Sequence, residues 1–255
     1  MSGGGTTGGI TRRRPVARLR FSGKHDGRLG DGAGRPEGQA KAYLSMPRVG
    51  LLGGSFNPAH EGHRAISLEA IQRLGLDRVW WLVSPQNPLK SKDDMAGFPK
   101  RMASAEEMAG GHPKILVTDL ERKLGAQYSV DTVRRLKRDG NCRFVWLIGS
   151  DNLLQLPKWR DWQDLLNLVP IAVFDREPYS YKALAGRVAR AYASCRLDPR
   201  HAGDLVGTAP PAWVYFRLRR HRISSTQIRS RQGWPTGEGA RSTSMLSGTT
   251  EGASS

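Results

Sequence analysis

Between residues 46 and 235, short and almost wholly apolar runs alternate with segments whose apolar residues recur at helical spacing. No other feature narrows the fold so far. A strand buried on both faces has no polar side, so it reads as a continuous hydrophobic run. Val49-Gly50-Leu51-Leu52, Arg78 to Val83, Ile115 to Thr118, Arg143 to Ile148, Ile171 to Phe174 and Trp213 to Phe216 are runs of this kind. Between them the periodicity predicts helices over Gly62 to Leu74, Phe98 to Met108 and Ser129 to Arg138. A helix pair is expected around Asn152 and Trp162 to Asn167, then a helix from Tyr181 to Ala193 and a closing one from Ser225 to Arg231. In the first helix Ile66, Ala70, Ile71 and Leu74 share a face; in the third Val130, Val133 and Leu136 do. Strands and helices in alternation build a doubly wound α/β fold, a parallel sheet covered on both faces. Its ligands belong at the carboxyl ends of the strands.

The flanks are built differently. Glycines from Gly3 to Gly38, with arginines between them, leave residues 1–45 without apolar periodicity. Such a stretch buries too little surface to offset its chain entropy, so a disordered leader is expected. It lacks the apolar run of a secretory signal. Met46 stands immediately before the first strand and is expected to be the biological start, the leader being a mis-set reading frame. Residues 236–255, rich in Gly, Ser and Thr, are expected to form a flexible tail, leaving 46–235 as a single domain.

The longest apolar stretches, Val79 to Val83 and Phe144 to Ile148, are far short of the roughly 20 residues that cross a bilayer, so no membrane association is expected. Two cysteines, Cys142 and Cys195, make no disulfide framework, and a reducing, cytoplasmic setting follows as the expectation. The net charge of +17 is shared by leader and body. It fits either a soluble, arginine-rich surface or an anionic partner, whether polynucleotide or phosphorylated small molecule.

The densest chemical signal is Gly53-Gly54-Ser55-Phe56-Asn57-Pro58-Ala59-His60-Glu61-Gly62-His63, at the passage from first strand to first helix. Glycines let backbone approach a ligand, and a helix N-terminus favours anions. The segment fits neither the dinucleotide fingerprint nor the P-loop. His60 and His63 lie three apart, but the spacing H-E-x-H is not the H-E-x-x-H of zinc proteases, so no metal site is expected. Phosphate contact is the favoured reading for the pair. A second signal is Ile223-Ser224-Ser225-Thr226-Gln227-Ile228-Arg229, where hydroxyls open a helix and Arg229 follows one turn along. It is either an ordinary N-cap or the second half of a phosphate grip.

Together these segments resemble the nucleotidyltransferase superfamily with paired HxGH and ISST-type motifs. Ser84-Pro85-Gln86-Asn87-Pro88-Leu89-Lys90, Tyr128-Ser129-Val130-Asp131-Thr132, Ile148-Gly149-Ser150-Asp151 and Lys158-Trp159 with Trp162 narrow the likeness to bacterial nicotinate-nucleotide adenylyltransferases. Asn57, where many members have Asp, and Ser129, where Thr is common, depart from the pattern. The resemblance implies a Rossmann-like nucleotidyltransferase fold, adenylyl transfer from ATP to nicotinate mononucleotide, and Mg²⁺ carried with ATP. It also implies roles. His60 and His63 would act on the α- and β-phosphates as the catalytic pair. Gly53, Gly54, Ser55, Lys90, Ser224, Ser225, Thr226 and Arg229 would hold the nucleotide. Trp159 would stack the pyridine ring, amides near Tyr128 and Ser129 would receive its carboxylate, and Asp151 would either meet ribose hydroxyls or cap a helix. The alternatives are another nucleotidyltransferase, such as one acting on phosphopantetheine, or a basic nucleic-acid-binding module; no nucleic-acid partner is expected, and the oligomeric state is not legible.

Overall fold

The computed structural model describes residues 42–85, 95–175 and 179–217. The leader up to residue 41, the expected closing helix Ser225 to Arg231 and the tail lie outside these residues.

Among the described residues seven strands form one sheet: β1 (Arg48–Gly54), β2 (Arg78–Val83), β3 (Ile115–Thr118), β4 (Arg143–Gly149), β5 (Ile171–Phe174), β6 (Arg196–Leu197) and β7 (Trp213–Phe216). Their order is β3-β2-β1-β4-β5-β7-β6, and every pairing is parallel. The chain winds outward from β1 through β2 to β3, then returns to the centre at β4 and winds the other way. Helices that follow β1 and β4 therefore cover opposite faces, and a crevice opens between the ends of these two strands. That crevice is where the described chemistry-bearing segments gather.

The helices are α1 (Glu61–Leu74), α2 (Phe98–Ala109), α3 (Leu120–Leu124), α4 (Ser129–Asp139), α5 (Ser150–Gln155), α6 (Trp162–Leu168), α7 (Ser180–Leu184) and α8 (Arg187–Ala191). Gly75, Gly110, Gly125 and Gly140 end α1 to α4 in the left-handed conformation, at φ of 60°, 61°, 58° and 63°. A residue without Cβ takes that turn at little cost. Two apolar layers enclose the sheet. On one face Leu51, Trp80, Trp146 and Val173 pack under Val133 and Leu136 of α4 and Leu165 of α6. On the other, Leu52, Trp81, Val145 and Leu147 meet Ala70 and Leu74 of α1, Ala105 of α2 and Leu205.

One expected element is corrected. The helix read from Tyr181 to Ala193 is two short helices, α7 and α8, broken at Gly186, which serves as the N-cap of the second. The apolar spacing runs through the break, but a Cβ at Gly186 would come within 3.0 Å of the Ala183 carbonyl, so the chain turns there. At the amino edge of the sheet, residues 42–45 make a helical turn. Buried Arg143 donates to the carbonyls of Leu44 (2.8 Å) and Met46 (3.3 Å), so contact with the body begins ahead of Met46. No helix among the described residues is long and apolar enough to cross a membrane.

Candidate active site

One wall of the crevice is the loop from β1 to α1. Gly53 and Gly54 close the strand, and a Cβ on Gly53 would meet the Trp146 ring at 3.0 Å, so this backbone packs directly on the core. Ser84 N–H donates to the Gly54 carbonyl (2.9 Å), joining the ends of β1 and β2. His60 is the N-cap of α1 and His63 lies in its first turn, with ring centroids 3.9 Å apart. The two form a reciprocal cap. Gly62 N–H donates to His60 Nδ1 and His60 N–H donates to His63 Nδ1, both at 3.1 Å. A neutral imidazole that accepts at Nδ1 carries its hydrogen on Nε2. The cap thus turns both rings into Nε2 donors, which is what an anion requires. From behind, Trp81 Nε1 donates to Ser67 Oγ (2.7 Å), and that hydroxyl donates to the His63 carbonyl (2.8 Å).

The opposite wall follows β4 and precedes α4. Asp151 falls in the first turn of α5, whose N-cap is Gly149, so it is not the capping residue. Trp159 comes after a 3₁₀ turn, Leu156–Lys158, and packs with Tyr128 against the same apolar layer. Tyr128 is the N-cap of α4, in extended conformation and with no side-chain cap, and Ser129 is the first helical residue. The turn is tied across to α6 by charge. Arg134 pairs with Asp131 (3.4 Å), Asp161 (3.8 Å) and Asp164, and the Arg160 guanidinium lies 4.8 Å from the Tyr128 ring centroid. Beneath α4, buried Glu121 accepts from Thr132 Oγ1 (3.3 Å). Burial pushes its carboxyl up to about 7, against a smaller lowering by that hydrogen bond. At the ends of β5 and β7, Asp175 accepts from Ser180 Oγ and from Tyr215 OH (2.9 Å). Burial, with that carboxylate, pushes the phenol up to about 12 and keeps it a neutral donor.

The structure therefore brings Gly53, Gly54, Ser55, His60 and His63 into one loop, and Asp151, Tyr128, Ser129 and Trp159 onto the other side of the β1–β4 boundary. Lys90, Ser224, Ser225, Thr226 and Arg229 lie outside the described residues. Two residues escape the sequence reading. Arg160 looks like a solvated arginine beside Trp159. Arg101 reads as one more surface cation, although Arg101, Ala105 and Ala109 are spaced four apart on the buried stripe of α2. Among the described residues no group of three or more His, Cys, Asp and Glu could hold a metal ion.

A strand-end crevice with paired imidazole donors is suited to an anionic group. The chain belongs to the cytidylyltransferase-like family, whose model matches residues 51–231. Among its relatives, a protein of Parvibaculum lavamentivorans named "Probable nicotinate-nucleotide adenylyltransferase" is 50% identical over 198 residues, which is 76% of this chain and 98% of that protein. One of the same name from Bradyrhizobium sp. (strain BTAi1) is 48% identical over 187 residues, 73% of this chain and 97% of that protein. A nicotinic acid mononucleotide adenylyltransferase of Plasmodium falciparum, solved in complex with NaAD, superposes with a TM-score of 0.53 at 16% identity, over 72% of this chain and 83% of that one. It shares the fold.

Proposed function

We infer that the protein is an enzyme of NAD biosynthesis that transfers the adenylyl group of ATP to nicotinate mononucleotide, releasing pyrophosphate and nicotinate adenine dinucleotide. The observation that carries this reading is the match to relatives of that name, at 50% and 48% identity over 76% and 73% of this chain. The geometry supplies the chemistry. The attacking group is a 5′-phosphate oxygen, already largely ionised near neutral pH because its second pKa is about 6. It needs no general base, and catalysis reduces to aligning two polyanions and stabilising charge on the α-phosphate and leaving pyrophosphate.

In this reading Nε2 of His60 and of His63 donates to the α- and β-phosphates, and the backbone at Gly53, Gly54 and Ser55 lies along the nucleotide. Lys90, Ser224, Ser225, Thr226 and Arg229 complete the triphosphate grip. Asp151 accepts from ribose hydroxyls. Trp159 is the platform for the pyridine ring, and the uncapped opening of α4 at Tyr128 and Ser129 receives its carboxylate, a preference for acid over amide. Mg²⁺ enters as part of the nucleotide substrate, bound to phosphate oxygens. A cytoplasmic setting belongs to the same proposal, supported by the free thiols of Cys142 and Cys195.

The test is pyrophosphate release from ATP and Mg²⁺ with nicotinate mononucleotide, nicotinamide mononucleotide or phosphopantetheine. The highest kcat/KM is expected for nicotinate mononucleotide. Faster turnover of phosphopantetheine, or release that ignores the pyridine nucleotide, would overturn the assignment.

A further inference from the structure

Arg101 is buried to 1% exposure, and no carboxylate among the described residues pairs with it. Its hydrogen bonds go to main-chain carbonyls instead. Nη1 donates to Ser55 (2.7 Å) and Ser84 (2.9 Å), Nη2 to Pro85 (2.9 Å) and Nε to Ala96 (3.0 Å). One guanidinium thus gathers the loop after β1, the end of β2 and the approach to α2. A buried cation that meets no counter-ion among the described residues is costly, so a chain that keeps one gains something that a packed apolar residue would not supply.

What it gains is visible next door. Phe56 stands at φ 45°, a conformation that bulky residues adopt only when their surroundings impose it. Its ring lies on Trp81, with centroids 5.1 Å apart, and 4.7 Å from His63. Asn57, also buried, accepts from Ala96 N–H through Oδ1 (3.1 Å). The peptide between Ser55 and Phe56 is trans, so its C=O and N–H point opposite ways. With the Ser55 oxygen drawn onto the buried guanidinium, the Phe56 N–H points away from it, and that N–H takes part in none of the described hydrogen bonds.

We propose that Arg101 is a positioning residue for adenylyl transfer: it holds the β1–α1 loop in the form in which the Phe56 N–H joins the two imidazoles as a donor to the phosphates. It touches no substrate. The proposal rests on the nucleotide half of the reading above and is independent of which acceptor is used.

In the full-length protein, Arg101→Lys keeps the charge but not the four-way hydrogen bonding. Its kcat is expected to fall about 30-fold or more per folded molecule, with KM for ATP raised and KM for nicotinate mononucleotide within about twofold. Turnover per folded molecule close to the unsubstituted protein's would overturn the proposal. A second measurement needs no variant: on titration with Mg²⁺ and pyrophosphate, the Phe56 amide proton is expected to move downfield in the NMR spectrum. An amide that stays in place as pyrophosphate binds would equally overturn it. Because pyrophosphate is the probe, a Phe56 amide that responds in the unsubstituted protein but not in Arg101→Lys, with the protein inert to nicotinate mononucleotide, would support Arg101 while refuting the acceptor assignment.

Discussion

The histidine wall and the tryptophan wall flank one crevice but are held by different forces. The β1–α1 loop is fixed from inside, by a buried guanidinium, a buried amide and an aromatic stack. The turn before α4 is fixed largely from outside, by Arg134 with three aspartates and by Arg160 over Tyr128, all with partly exposed side chains. Buried hydrogen bonds are little affected by salt, whereas exposed ion pairs are worth about 0–1 kcal/mol each and weaken as ionic strength rises. In the proposed function the contrast suits the two tasks. Phosphates must be met in one geometry, while a ring and a carboxylate tolerate a wall that adjusts.

Three substitutions would sharpen or break that contrast. The largest effect is expected at the rigid wall, where His63→Ala should lower kcat about 10²–10³-fold, the usual loss of a donor aimed at developing charge. Steady-state kinetics should show acceptor KM nearly unchanged; a rise in acceptor KM with kcat preserved would place His63 on the other wall. Next is Glu121, the buried exception on the adjustable side. Its folded-state pKa of about 7 exceeds the value of an unfolded Glu, so folding favours the protonated form. That contribution is complete below about pH 4.3 and is lost as pH rises through 7, a change on the order of 3 kcal/mol. Glu121→Gln should therefore gain stability relative to the unsubstituted protein between pH 5 and pH 8, as followed by Tm. A constant difference in Tm would show that this carboxyl does not titrate there. The smallest effect is expected for Trp159→Ala, about 10-fold on acceptor KM with ATP binding unchanged, measured by kinetics and ATP titration. Equal damage to both substrates would dissolve the division between the walls.

Much of this architecture is legible in the sequence because both faces of the sheet are buried. The runs Arg78–Val83, Ile115–Thr118, Ile171–Phe174 and Trp213–Phe216 coincide with strands of the sheet. Elements too short to show a period are not legible, among them α3, the two-residue β6 and the 3₁₀ turn Pro199–Gly207. At the site, glycine and histidine advertise themselves by type and spacing. Arg101 does not, because its meaning lies in carbonyls far off in the chain, with Ser55 lying 46 residues away. The reciprocal cap of His60 and His63 is likewise a fact of three dimensions: spacing puts the rings near each other, but only the folded loop decides which nitrogen keeps its hydrogen.

The reversal of winding between β1 and β4 has a consequence for descent. In the proposed function the histidine loop is encoded before residue 110 and the pyridine-side residues between 119 and 168, on elements that cover opposite faces of a common sheet, with the expected grip at residues 224–229 apart from both. Mutations that remodel the one leave the packing of the other largely undisturbed. Lineages built on this plan could thus exchange the recipient of the transferred group while inheriting the histidine loop, a modularity that the reversal of winding permits.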